Sequence, residues 1–288
     1  MALNYDLLIH QPPRKGQQAY TKRDTMLYAL GLGIGIRAVE DPAHLRFVYE
    51  EDLQALPTMA TTLGHPGFWY AEPQYGIDWK KILHGDQTTE IHKPLPVEGN
   101  LRTETVVEEV WDKGAEKGAL MQLARRLYDE KTGEHYATSR QGLFLRGNGG
   151  FGGKNGPPQT ERAFPTRKAD AVVDSPTRPE QALIYRLSGD YNPLHAAPKV
   201  ATAAGFPKPI FHGLATYAIA GYAAIINLCG GDASRVRKYS ARFSSPVFPG
   251  ETLRTEIWNE GSGLGCLQVR VVERDLVVLK NGFIEYGG

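Results

Sequence analysis

Features that would tie this sequence to a compartment, a surface or a bound metal are scarce. In 288 residues there are two cysteines, Cys229 and Cys266. They form no C-x-x-C pair, which speaks against a zinc ribbon or a disulfide framework and favours a reduced, cytoplasmic setting. Charge of one sign is also lacking: 33 Lys and Arg stand against 32 Asp and Glu, a net +1. No global field draws the chain to nucleic acid or to an anionic membrane, so a phosphate-bearing ligand has to be held by a local cluster. No apolar run has the length of a membrane span. The nearest, Ile210 to Leu228, is interrupted by His212, Thr216 and two glycines, and reads as a buried helix. Met1 to His10 lacks the basic start and apolar run of a signal peptide, and Glu285-Tyr-Gly-Gly288 is not a peroxisomal tripeptide. Phosphate loops are absent as well. There is no G-x-x-x-x-G-K-[ST], and Gly31, Gly33 and Gly35 follow a G-x-G-x-G spacing that fails the dinucleotide fingerprint.

The composition, 41% hydrophobic and 23% charged, supports an ordinary buried core, and the length suits one large domain or two of roughly 140 residues. Residues 147–158 read Gly-Asn-Gly-Gly-Phe-Gly-Gly-Lys-Asn-Gly-Pro-Pro, and the chain stays rich in proline and charge up to about Glu180. That composition predicts a linker over 147–180, between units at 1–146 and 181–288. Fragments recur in order across it. Pro94-x6-Leu101-Arg-Thr-Glu104 matches Pro246-x6-Leu253-Arg-Thr-Glu256 at an offset of 152, and Leu27-Tyr-Ala-Leu30 matches Ile184-Tyr-Arg-Leu187 at 157. A tandem duplication accounts for both.

The second unit carries an all-round apolar stretch, Phe211 to Cys229, expected to be a helix buried on most sides. Strands are expected at 239–248, 252–259, 266–273 and 276–284, with turns at Pro249-Gly250, Gly261-Ser-Gly263 and Lys280-Asn-Gly282. The first unit ends alike, with strands expected at 87–94, 100–113, 120–129 and 135–145. The predicted class is α+β: in each unit an antiparallel sheet wraps a buried helix.

Chemistry concentrates in Tyr185-Arg-Leu-Ser-Gly-Asp190-Tyr-Asn192-Pro-Leu-His195. On a regular helix Asp190 and His195 would be separated by about 500° of rotation, and Pro193 disfavours such a helix. A turn over Gly189 to Leu194 brings an acid and a base together, the requirement of general acid–base chemistry. Singly, Asp190 is a turn or cap residue, His195 a core histidine and Tyr185 packing. Together Asp190 and His195 read as catalytic, with Tyr185 only a candidate to orient substrate or water. A metal site of Asp190, His195 and His212 matches no known ligand spacing, so no metal is expected and His212 is given a structural role.

This stretch, with Ala201, Phe206 and Ile210-Phe-His-Gly-Leu214, resembles the hydratase 2 motif of MaoC-like, (R)-specific 2-enoyl-CoA hydratases. Phe243-Ser-Ser-Pro-Val-Phe-Pro-Gly250, Tyr20-Thr-x-x-Asp24, Tyr28 to Gly33 and Leu83-His-Gly-Asp-Gln87 are similar to the eukaryotic-type double-domain members. The resemblance implies a double hot-dog fold and reversible hydration of a trans-2-enoyl-CoA, with no metal or redox cofactor. Asp190 and His195 would share the proton transfers, in an order left open, while Asn192 would orient the water or the thioester. Gly213, at the start of the buried helix, is the candidate N–H donor to the thioester oxygen. Glu50 falls where such members carry an acidic residue at the site margin, and Arg242 is a candidate for the CoA phosphates. Aligning Tyr28 with Tyr185 sets Gly33 opposite Asp190 and Ala38 opposite His195, so one site per chain is expected, with the first unit shaping the acyl-tail pocket. Competing readings are a hot-dog thioesterase, a 3-hydroxyacyl-thioester dehydratase serving another acyl carrier, and a non-catalytic acyl-CoA-binding protein. Exposed sheet edges make a homodimer the expected assembly.

Overall fold

The computed structural model describes residues 3–38, 41–157 and 163–287. Ten strands form one antiparallel sheet: β1 (Arg14–Tyr20), β2 (Ile82–Ile91), β3 (Gly99–Asp112), β4 (Ala119–Asp129), β5 (His135–Leu145), β6 (Ala171–Pro176), β7 (Val236–Phe243), β8 (Thr252–Gly261), β9 (Leu264–Val271) and β10 (Leu276–Tyr286). Their spatial order is β1-β3-β4-β5-β2-β7-β10-β9-β8-β6. Replacing each strand of the first half by its counterpart in the second reverses this order onto itself, so the duplication is visible in the topology. The halves join where β2 runs antiparallel to β7, with Asp86 opposite Arg242 and Glu90 opposite Lys238. Buried and half-buried residues alternate along β3, the pattern of an antiparallel sheet with one face on the core.

The sequence matches are also spatial neighbours. Helix α1 (Lys22–Gly31) packs on the short helix Gln181–Tyr185, and the rings of Tyr28 and Tyr185 lie 5.8 Å apart. Gly31 permits this approach, since a Cβ there would meet Tyr185 Cα at 3.0 Å.

Inside the second unit, helix α2 (Gly213–Leu228) buries most of its residues between Leu214 and Ile225 beneath β7 to β10. Gly221 lets Tyr239 lie close, as a Cβ would fall 2.9 Å from its ring. The first unit departs from the expected plan of a buried helix. Beneath its strands lie the 3-10 turn Pro57–Thr61, all five residues buried and packed on α2, and, against Val107, Met121 and Leu123, the short turns Trp69–Ala71 and Pro73–Tyr75. Both units thus share one core that includes Leu56, Met59, Tyr217 and Ile225.

The segment expected to be a linker is partly structural. Ala171–Pro176 within it forms the edge strand β6, the second-unit counterpart of β1, paired with β8. Its short length and Asp174 hide the strand period. The glycines at 150 and 152 close around an internal anion: the Asp112 carboxylate accepts from the amides of Gly114, Gly150 and Gly152 at 2.7–2.8 Å. Residues 158–162 of the same segment lie outside the described residues. Among those described, no helix is long and apolar enough to cross a membrane.

Candidate active site

The motif is shaped by local backbone rules. The helix Gln181–Tyr185 passes into a 3-10 turn, Arg186–Ser188, and stops at Gly189 with φ +122°, a conformation nearly confined to glycine. A Cβ at Gly189 would sit 3.2 Å from the Thr62 carbonyl oxygen, so this glycine also lets the turn dock on the first unit. Asn192 is held extended before Pro193. Its Oδ1 accepts from the Leu194 amide at 3.0 Å and opens a 3-10 turn, Pro193–His195. That turn, in place of a continuous helix, returns His195 toward Asp190.

Nitrogen and oxygen atoms of Asp190, His195 and His212 all lie within 4.8 Å of one another. His195 Nδ1 is 2.9 Å from the Ile210 carbonyl oxygen. A carbonyl only accepts, so Nδ1 carries the proton and Nε2 presents a lone pair. His212, wholly buried, donates from Nε2 to the backbone oxygen of Asp190 at 3.2 Å. The two imidazoles stack with centroids 3.8 Å apart and planes 30° from parallel. Burial, against the opposing charge of Asp190, pushes the His195 pKa down. Burial, with His195 beside it, brings His212 down to about 2, so the stacked pair is neutral near pH 7. The Asp190 carboxylate accepts from the Asn192 amide at 3.3 Å.

The same three residues have the composition of a metal site, but His195 Nδ1 and His212 Nε2 already donate to carbonyls, which leaves one nitrogen on each ring.

Gly213 opens α2 directly after His212, and a Cβ there would press on the Phe243 ring at 3.3 Å. Its amide and that of Leu214 are the unpaired donors of the helix start. They place the positive end of a 16-residue helix beside the stacked pair. Tyr185 is fully buried, 4.9 Å from the His212 ring, with its hydroxyl unpartnered. Asp190 and His195 therefore converge with His212, Tyr185 packs on the His212 ring, Gly213 follows it in the chain, and Asn192 shapes the turn between Asp190 and His195. Glu50 is exposed in a turn, with no hydrogen bond to the cluster among the described residues. Arg242 sits at the β2–β7 seam, where its charge acts on Asp86.

The first unit supplies neighbours that sequence spacing did not reveal. Asp190 acts electrostatically on His65, Tyr70 and His84. His84 packs edge-on against Phe243 at 4.8 Å, and its Nε2 is buried without a partner. The signal for His84 was the fragment Leu83 to Gln87; no local pattern marks His65 or Tyr70. Gly33, opposite Asp190 in the duplication, packs on the Gln181 side chain, and nothing is described of the Ala38 side chain.

Fold and site define a double hot-dog protein with an acid–base cluster at the mouth of the buried helix. Residues 160–281 match the MaoC like domain and residues 18–147 the MFE-2 hydratase 2 N-terminal domain. The chain is 44% identical to 3-hydroxyacyl-thioester dehydratase Y of Mycobacterium tuberculosis, covering 93% of each chain. It is 40% identical to the peroxisomal enoyl-CoA hydratase 2 of Arabidopsis thaliana, over 99% of this chain and 96% of that one. A crystal structure of a MaoC-like dehydratase from Phytophthora capsici superposes with a TM-score of 0.85 at 36% identity, covering 98% of both chains. A Mycobacterium tuberculosis protein described as a double hotdog, 14% identical with a TM-score of 0.54, shares the fold. The chain belongs to the MaoC-like, hydratase 2 family.

Proposed function

We propose that this chain is a hydro-lyase that reversibly adds water across the C2=C3 bond of a trans-2-enoyl-CoA, giving an (R)-3-hydroxyacyl-CoA. The observation that carries the reading is the convergence of Asp190, His195 and His212 within 4.8 Å, beside the free amides that open α2. The likeness to the Arabidopsis hydratase supports the reaction class.

The protonation pattern supports one division of roles. Burial disfavours a positively charged His195, so its Nε2 accepts a hydrogen bond from the water and holds it over C3. Asp190 takes the proton as the water oxygen bonds to C3. The displaced π pair passes through C2 to the thioester oxygen, which becomes enolate-like. The amide of Gly213 meets that charge, worth roughly 3–4 kcal/mol for one preorganised donor. Protonated Asp190 then delivers its proton to C2, and the carboxylate is restored. Asn192 stiffens the turn through its contact with Leu194 and keeps Asp190 and His195 in register.

The Mycobacterium dehydratase favours a second reading: the same site run in reverse on a 3-hydroxyacyl thioester, with CoA or another carrier. The decisive assay follows enoyl-thioester absorbance and free thiol together. Loss of absorbance without thiol release, giving the (R) product, supports hydration; thiol release makes the chain a thioesterase. The reading includes a reducing, cytoplasmic setting, supported by two buried cysteines that form no disulfide, and a homodimer formed by the sheet edges at β1 or β6. Light scattering on the purified chain checks the dimer, and fluorescence microscopy of a tagged chain checks the compartment.

A further inference from the structure

Strand β2 carries a histidine where its own alternation calls for an apolar residue. Gln87, Thr89 and Ile91 are buried, so a period of two sets Leu83 and Gly85 on the core face and His84 on the outer one. The structure has the reverse. Leu83 is 46% exposed, while Ile82 pairs with Leu145 and His84 with Leu143, both buried residues of β5. Residues directly opposite on a ladder share a face, so His84 lies on the core side. The register of β2 on β5 shifts between His84 and Asp86. Gly85 is the extra residue of a β-bulge, and it reverses the facing of everything before it.

A bulge re-aims side chains, and bulges are enriched beside active sites. This one turns a leucine outward and a histidine inward, whereas packing alone favours the leucine inside. The ring it turns inward reaches the second unit. It meets Phe243 edge-on at 4.8 Å, and Phe243 is the ring that a Cβ on Gly213 would press on at 3.3 Å. The charge of Asp190 acts on it as well. The Asp86 backbone carbonyl accepts from the His84 ring, and the nitrogen left over is Nε2. Burial brings the pKa down to about 4, so at neutral pH Nε2 is a hydrogen-bond acceptor.

We infer that His84 is a substrate-binding residue of the active site, supplied by the first unit, and that its Nε2 accepts a hydrogen bond at the reacting end of the bound thioester. The inference rests on the hydratase reading, which sets the thioester at Gly213 beside Asp190 and His195. Two donors are available there: the reacting water, and the first amide N–H of the arm that carries the thioester. Asp190, His195 and Gly213 all belong to the second unit, so His84 makes the site a joint product of both.

The test separates the acceptor from the packing. His84→Phe keeps a ring against Phe243 and removes the acceptor, whereas His84→Gln keeps an acceptor. With a trans-2-enoyl-CoA, His84→Phe lowers kcat/KM by about tenfold, the scale of one hydrogen bond left unmade, with Tm unchanged or raised. His84→Gln recovers part of the loss. A fall in kcat identifies the donor as the water, and a rise in KM identifies it as the thioester arm. Leu83→Ala, on the outer face, leaves kcat/KM unchanged. If His84→Phe fails to fold, the wild-type protein answers by NMR: the His84 Nε2 resonance moves when the equilibrium mixture of enoyl-CoA and (R)-3-hydroxyacyl-CoA is added. A folded His84→Phe protein with wild-type kcat/KM, a loss that Leu83→Ala reproduces, or an unmoved Nε2 resonance overturns the inference and leaves the hydratase reading intact. A parallel fall of Tm and kcat/KM that His84→Gln does not relieve makes His84 structural and overturns it too. Absence of hydration by the wild-type chain instead sinks that reading, and the inference with it.

Discussion

Asp190→Asn separates chemistry from architecture at this site. The side chain makes one described hydrogen bond, from the Asn192 amide at 3.3 Å, and an asparagine oxygen can still accept it. The contact that ties the turn to α2 uses the backbone oxygen of Asp190, bound to His212, and survives the change. The expected loss of stability is below about 1.5 kcal/mol, a fall in Tm of no more than about 2–6 °C. The carboxylate's role as proton carrier disappears. Loss of one positioned acid–base group costs 10²- to 10⁴-fold, which is roughly 2.7–5.5 kcal/mol of barrier. Steady-state hydration of an enoyl-CoA and calorimetry on the same preparation give both numbers. A folded Asp190→Asn protein with kcat within tenfold of wild type refutes the assignment. A parallel collapse of Tm and kcat makes Asp190 architectural.

His195→Gln lowers kcat by a similar factor, and the low-pH limb of the wild-type kcat profile falls below the ordinary histidine range, because burial holds the His195 pKa down; a limb at or above it contradicts the neutral assignment. His212 has a folded pKa of about 2 against about 6.5 unfolded. Its contribution to stability is therefore complete above pH 6.5 and declines as pH falls, by about 1.4 kcal/mol per unit. Urea unfolding at pH 7, 6 and 5 tests this, and His212→Gln should show a slope shallower by one proton. Gly221→Ala drives a methyl to 2.9 Å from the buried Tyr239 ring and should cost about 1–3 kcal/mol by thermal unfolding. Asp112→Ala leaves three amides without their acceptor and should cost roughly 1.5–3 kcal/mol, with faster amide exchange at Gly150 and Gly152.

Elements with a local signature were legible before folding was considered. The strands from His135 and from Leu276 are close to their expected ranges, because alternation and flanking turns define them. Helix α2 was legible because sixteen residues with hardly a charge can only be stable when buried. Strand β6 was not, as six residues starting in a proline-rich segment carry too little period to register. Nor was the 3-10 turn at Pro57–Thr61, whose burial comes from α2 lying across it.

The same division runs through the site. Sequence alone determined that Asp190, Asn192 and His195 lie on a tight turn, since Gly189 and Pro193 restrict the backbone locally. It also determined that the chain repeats one unit, because fragments keep their order and offset. The tertiary structure decided the protonation state of His195, through a carbonyl fifteen residues away, and the stacking of His212 upon it. It also brought His65 and His84 of the first unit within reach of the Asp190 charge. The physical reason is that backbone preference acts over a few residues. Desolvation, and the pairing of buried donors, depend on which distant segments enclose a point.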